Sequence, residues 1–367
     1  MNVSLHRVAL VIALLLPVTA QAQNNYLQTN LVSDIPGLAA HTDPNLVNPW
    51  GISSSSSSPL WVSDNGRDVS TIYNGNGTPA SLVVSIPPGA PTGTVFNGSG
   101  GAFNGDFFLF ATESGSIAGW RPALGTTAET LVNNGGLGAI YKGIALADTG
   151  GHTYAYAADF HNNAVSIFKG DVAAPNLTGN FTDPNLPAGY APFNIQTING
   201  KLFVTYALQD AEGEDDVPGA GHGFLDVFDL NGNFIQRLAS DNQLNSPWGL
   251  AIAPVEFGAF SNDLLVGNFG DGRINAFNPI TGAFLGTLND PNGNPLSIEG
   301  LWGLRVGNGG NGGDPNSLFF AAGIDDERHG LFGRIGVPDS GSTLMLLMTA
   351  LAAIGCIARR RLHSQTT

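Results

Sequence analysis

One cysteine, Cys356, is all that the chain of 367 residues contains, so no disulfide can form within it and stability has to come from buried apolar surface. Charge is scarce as well: Asp, Glu, Lys and Arg together make up 12% of the chain, about half of ordinary usage. Basic residues are the scarcer kind, 14 against 29 acidic. A surface so poor in Lys and Arg repels phosphate backbones and anionic lipid, which argues against nucleic acid as a partner and leaves divalent cations or uncharged glycans as better matches. Solubility alone is the competing explanation of the acidity. No run of apolar residues reaches the length of a stable membrane helix. His-Glu-x-x-His, Gly-x-Ser-x-Gly, a phosphate loop and a dinucleotide fingerprint are all absent, and the glycine-rich run from Gly307 to Gly313 lacks the strand-to-helix context that a nucleotide site needs.

What the chain has in excess is glycine, 50 residues, about twice the usual share. With ample aromatic and β-branched residues, that profile suits short strands joined by many tight turns.

The two ends read as addresses. Residues 1–22 carry Arg7, an apolar run from Val8 to Val18 and the sequence Ala20-Gln21-Ala22, the pattern of a secretory leader cut between Ala22 and Gln23. At the other end, 337–367 holds Val337-Pro338-Asp339-Ser340-Gly341, an apolar stretch at 344–358 and Arg359-Arg360-Arg361. The arginines hold the extreme C-terminus on the cytoplasmic side, and the marginal span pauses in the inner membrane as a transmembrane helix; a plain single-span anchor is the alternative. Without the basic residues of these segments and Asp339, the body at 23–336 keeps 10 basic and 28 acidic residues, a charge near −18.

Motif, span and arginines in this order resemble the PEP-CTERM class of sorting tails, in its Val-Pro-Asp-Ser-Gly variant. The resemblance implies signal peptidase and an exosortase as partners during export, transient inner-membrane contact, a Gram-negative source and a destination at the cell surface or outside the cell.

Internal repetition predicts the fold of the body. Asn48-Pro49-Trp50-Gly51-Ile52 recurs as Ser246-Pro247-Trp248-Gly249-Leu250 and as Gly300-Leu301-Trp302-Gly303-Leu304. Weaker copies at Val95-Phe96-Asn97, Tyr141-Lys142-Gly143-Ile144 and Ala191-Pro192-Phe193-Asn194-Ile195 complete a series anchored at residues 51, 97, 143, 194, 249 and 303. Each anchor is followed by an apolar segment such as Leu60–Asp64 or Leu264–Asn268, then by an alternating one such as Val165–Phe168 or Leu225–Phe228. The expected architecture is all-β: a six-bladed β-propeller with four-stranded blades. Its last blade is completed by an N-terminal strand from Tyr26 to Val32, which removes an exposed edge. The strand order resembles NHL-type propellers. Ser53 to Ser58 reads as a surface hairpin loop.

In such a ring the loops after each second strand meet around the channel. Asp64, Glu113, Asp159, Asp210 and Asp325 stand there, with Asn268 in blade five. Oxygen ligands drawn from several blades suit Ca2+ or another divalent cation, while Asp and Asn also stand at such places because turns favour them. A long insertion in blade four, Gln209 to Gly223, carries Asp210, Glu212, Glu214, Asp215, Asp216 and His222. Its five carboxylates within seven residues need either solvent or a cation. His161, His222 and His329 all fall in these loops, where a zinc or acid–base role competes with plain exposure. Trp50, Trp248 and Trp302 either stack on sugars at the channel mouth or pack the blades.

The Pro-Trp-Gly repeats, the acidic insertion and the run Gly223–Asp229 together resemble a family of exported PEP-CTERM propeller proteins. That resemblance implies fold and destination and leaves activity open. Two functions follow as expectations. The first is a non-catalytic surface or matrix propeller that binds polysaccharide or an envelope protein. The second is a divalent-metal-dependent hydrolase or lyase resembling gluconolactonase and paraoxonase, working through channel carboxylates.

Overall fold

The computed structural model describes residues 23–240 and 242–338. The expected leader, the motif residues Asp339, Ser340 and Gly341, and the apolar segment 344–358 lie outside them. No helix among the described residues is long and apolar enough to cross a membrane.

Six sheets stand around one axis, antiparallel throughout except for the short edge strand His41–Thr42, which pairs parallel with the N-terminal strand. Their innermost strands are Pro49–Ser53, Pro91–Phe96, Tyr141–Thr149, Tyr190–Ile198, Pro247–Ile252 and Leu301–Val306. Each touches the innermost strands of both neighbours, and the sixth touches the first, so the ring is closed. Within a blade the chain meanders outward; blade four, for example, continues through Lys201–Leu208, Gly223–Phe228 and Phe234–Ala239. In blade three, strands His152–Asp159 and Ala164–Lys169 follow the inner one, and the proline-containing segment beyond them turns away. Its Gly179 and Phe181 amides donate to the carbonyls of Asn231 and Gly232 in blade four.

The last blade is closed as the unpaired N-terminal strand leads one to expect. Leu27–Ser33 pairs antiparallel with Leu331–Gly336, from Leu27 opposite Gly336 to Ser33 opposite Leu331. Leu31, Val32 and Phe332 are buried together with Phe319 of the same blade and Tyr73 of blade one. Apolar clusters of this kind fill the spaces between neighbouring blades, which is how sheets too small to fold alone gain a core.

Close approach at the axis requires glycine. A Cβ on Gly51 would meet the Thr94 amide nitrogen at 2.6 Å, one on Gly93 the Ile144 nitrogen at 2.7 Å, and one on Gly303 the Trp50 carbonyl at 2.4 Å. Blade two therefore carries its anchor at Gly93, not at Asn97. Asn97 lies past the end of its strand, where its side chain donates to the carbonyls of Ala102 and Asp106. The sequence Pro91-Thr92-Gly93 has no aromatic residue to mark it.

Candidate functional site

All six inner strands shift register beside the anchor, between Pro49 and Ile52, Pro91 and Thr94, Tyr141 and Gly143, Pro192 and Asn194, Pro247 and Gly249, and Leu301 and Leu304. A bulge re-aims a side chain. Here it acts on the residue just before each anchor: Trp50, Thr92, Lys142, Phe193, Trp248 and Trp302. Contacts among these residues skip blades, which places them on the axis. Trp50 stacks on Trp302 with ring centroids 3.5 Å apart, Trp248 meets both edge-on at 6.0 and 5.9 Å, and Phe193 lies 5.7 Å from Trp302. The tryptophans are buried and pack the channel as a plug.

Lys142 stands where three blades have tryptophan. Its side chain is 2% exposed, and its Nζ lies 2.5 Å from Glu113 Oε1 and 3.2 Å from Asp215 Oδ1. The ammonium also faces the rings of Trp50 and Phe160, 5.4 and 5.9 Å from their centroids. Burial works against its charge, yet the two carboxylates outweigh burial and raise the amine above the ordinary lysine range. Glu113 Oε2 accepts from Asn65 Nδ2 at 2.7 Å, and Asn48 Nδ2 donates to Glu327 Oε2 at 2.8 Å. The Trp302 indole N–H donates to Asn48 Oδ1 at 3.1 Å, tying plug and polar rim together.

The backbone that delivers these groups is strained. Asn48 has φ 46°, and Asp325, Asp326 and Glu327 follow one another at 57°, 52° and 63°. Left-handed conformations cost non-glycine residues free energy and concentrate at functional sites. Burial pushes the Glu327 carboxyl up to about 7, with the Glu113 charge adding to the shift while the Asn48 hydrogen bond and Lys142 oppose it.

Of the six groups expected around the channel, only Glu113 joins this cluster. Asp64 is buried and accepts from the Thr71 amide; Asp159 accepts from the amides of Ile140 and Asn162 and from the Asn162 side chain. Asp210 accepts from the Glu214 amide, Asn268 donates to the Gln243 carbonyl and to Asp271, and Asp325 pairs with Arg328 at the surface. Among the described residues no three His, Cys, Asp or Glu side chains gather as metal ligands. Asp64 Oδ2, Asp159 and Asp210 accept from protein donors in separate turns, while Asp64 Oδ1 and Asn268 Oδ1 are buried without a protein partner among the described residues.

The acidic insertion folds back toward the axis. Asp215 reaches Lys142, and burial pushes the neighbouring Asp216 up to about 6. Glu212 and Glu214 are exposed. His222 contacts the Val217 carbonyl through Nδ1, His329 contacts Asp34, and His161 is exposed, so the three imidazoles do not converge.

Beside the plug, between blades five and six, a groove of about 510 Å3 opens. Phe269 lines it, half-buried, while stacked on Trp302 at 3.9 Å. Asp271, Ser297, Glu299, Asp326 and Glu327 line the same groove.

Several half-buried or buried acids have pKa values raised chiefly through burial: Glu327 and Asp226 to about 7, Asp216 and Asp106 to about 6, and Asp64 and Asp263 in the same direction. Between the unfolded carboxylate range and these values the native state holds more protons than the unfolded one, so stability falls as pH rises. Melting temperature is expected to drop by several degrees from pH 5 to pH 7.5 in thermal scans, and Glu327→Gln should make the drop smaller. A flat profile would contradict these shifts.

Comparison with known proteins agrees with the architecture. The VPDSG-CTERM motif matches residues 336–362. Two solved glucose dehydrogenase structures superpose with TM-scores of 0.52 and 0.51, each covering 85% of this chain and 99% of the other at 10% and 12% identity, a likeness of fold alone. Uncharacterized protein R648 of Acanthamoeba polyphaga mimivirus is 34% identical over 325 residues, covering 83% of this chain and 78% of the relative. Uncharacterized protein L690 of the same virus is 34% identical over 328 residues, covering 83% and 84%. The chain belongs to the family of these two proteins, as a six-bladed propeller that ends in a VPDSG-CTERM motif.

Proposed function

We propose that this protein is an exported cell-surface or extracellular propeller that binds a neutral or amino-sugar polysaccharide in the groove between blades five and six. The observation that carries the reading is Phe269. Its ring is backed by Trp302 and lines an open groove whose wall also carries the carboxylates of Asp271, Glu299, Asp326 and Glu327. A fixed aromatic ring offers a platform for the apolar face of a pyranose, and carboxylates accept hydrogen bonds from sugar hydroxyls. The acidic lining disfavours anionic chains. The C-terminal motif supports delivery by an exosortase after signal peptidase has removed the leader.

Titration of the purified protein with neutral and amino-sugar oligosaccharides tests the reading. Binding is expected to be saturable and to weaken at least tenfold in Phe269→Ala, about 1.4 kcal/mol. Absence of binding to every such glycan, or unchanged affinity in the variant, would overturn it.

Glu327 is the observation that favours a second reading, hydrolysis or lysis of the bound chain, because a carboxyl titrating near neutrality suits acid–base work. Under that reading the glycan is cleaved and Glu327→Gln stops cleavage without loss of binding.

A further inference from the structure

Beneath the aromatic plug, at the other end of the axis, the six inner strands enclose a second cavity of about 220 Å3. Backbone, glycines and small or apolar side chains make most of its wall, and among the described residues that line it Arg305 alone carries a charge. Arg305 stands two residues after its blade's anchor, and the equivalent positions hold Ser53, Val95, Ala145, Gln196 and Ala251. The repeat therefore does not call for arginine here.

One edge of the guanidinium is already engaged. Nε donates to Ser54 Oγ at 3.2 Å and Nη2 to the Ser54 carbonyl at 2.9 Å. The opposite edge, Nη1 with the second Nη2 hydrogen, has no protein acceptor among the described residues. Burial lowers the Arg305 pKa, and no carboxylate offsets it. Arg305 is half-buried at the cavity wall without a counter-ion among the described residues, and its free edge matches the two oxygens of an oxyanion.

We propose that the lower channel is a binding site for a small oxyanion, a carboxylate or phosphate, gripped by the free edge of Arg305, in a cavity that Gln196 also lines. The cavity admits a small molecule or the acidic end group of a chain, not a polymer. The site lies across the plug from the saccharide groove and does not depend on it.

The test is thermal unfolding of the purified full-length protein with acetate, phosphate, glucuronate and neutral glucose, at ionic strength matched with chloride. At least one anion is expected to raise the melting temperature saturably while glucose does not. A stronger response to glucuronate than to acetate identifies a sugar acid as the source; the reverse identifies a free small acid, and phosphate ahead of both a free phosphate. Arg305→Met should require at least ten times more anion. If that variant does not fold, Arg305→Lys, which keeps charge but loses the two-pronged edge, should show the same weakening. No saturable rise with any anion, an equal rise with glucose, or an undiminished rise in the folded variant would overturn the proposal.

Discussion

Glu113→Ala is expected to destabilise the protein by about 3 kcal/mol, far more than an ordinary surface substitution. The reason is an asymmetry in burial. The Lys142 side chain is 2% exposed whereas Glu113 is 27% and Asp215 77% exposed, so an ammonium that loses Glu113 cannot reach water, while the carboxylates can. Asn65 loses its acceptor in the same step. Lys142→Met, which keeps the bulk and leaves carboxylates that can resolvate, should cost clearly less, about 1 kcal/mol. Urea unfolding of the two variants checks the order, and equal losses would mean that the carboxylates, not the lysine, bear the cost of separation.

Gly303→Ala is expected to cost about 3 kcal/mol, the upper part of the range for overpacked sites. Its new methyl would sit 2.4 Å from the Trp50 carbonyl, a backbone atom fixed by the next blade. No rotamer change relieves that contact, so the inner strands of blades six and one must move apart. Spreading them disturbs the Trp50–Trp302 stack as well. Gly100→Ala, where nothing lies within 4 Å and φ is not left-handed, is the matched control and should be nearly neutral. Unfolding midpoints of the two variants decide the point; a harmless Gly303→Ala would mean that the ring tolerates wider spacing at its axis.

The ring was legible because each blade repeats the same packing problem and three of the six solve it with a Trp-Gly pair. Pro-Trp-Gly marks the axis in blades one and five and Leu-Trp-Gly in blade six, and the unpaired strand ahead of blade one announced its pairing with Leu331–Gly336. Blade two escaped because Thr92 replaces the aromatic marker, which moved its anchor from Gly93 to Asn97. The site was less legible. Acids at second-strand ends satisfy their own turns, as Asp159 does with Ile140 and Asn162, and composition cannot separate such capping from a role in the channel. Glu113 differs from them through Lys142, and that signal was present in the repeats: a lysine occupies a position where Trp50, Trp248 and Trp302 recur. Phe269 and Glu327 come from loops of unequal length, where a repeat no longer fixes register and only the folded chain brings them together.

The Lys142–Glu113 pair is the keystone of the channel mouth, and a double-mutant cycle measures it most directly. Unfolding free energies of the parent, Lys142→Met, Glu113→Gln and the double variant are compared in urea. A coupling of about 2 kcal/mol or more is expected, with the double variant more stable than Glu113→Gln alone. A coupling near zero would contradict the account, because the lysine and glutamate would then stand in the channel mouth without holding one another.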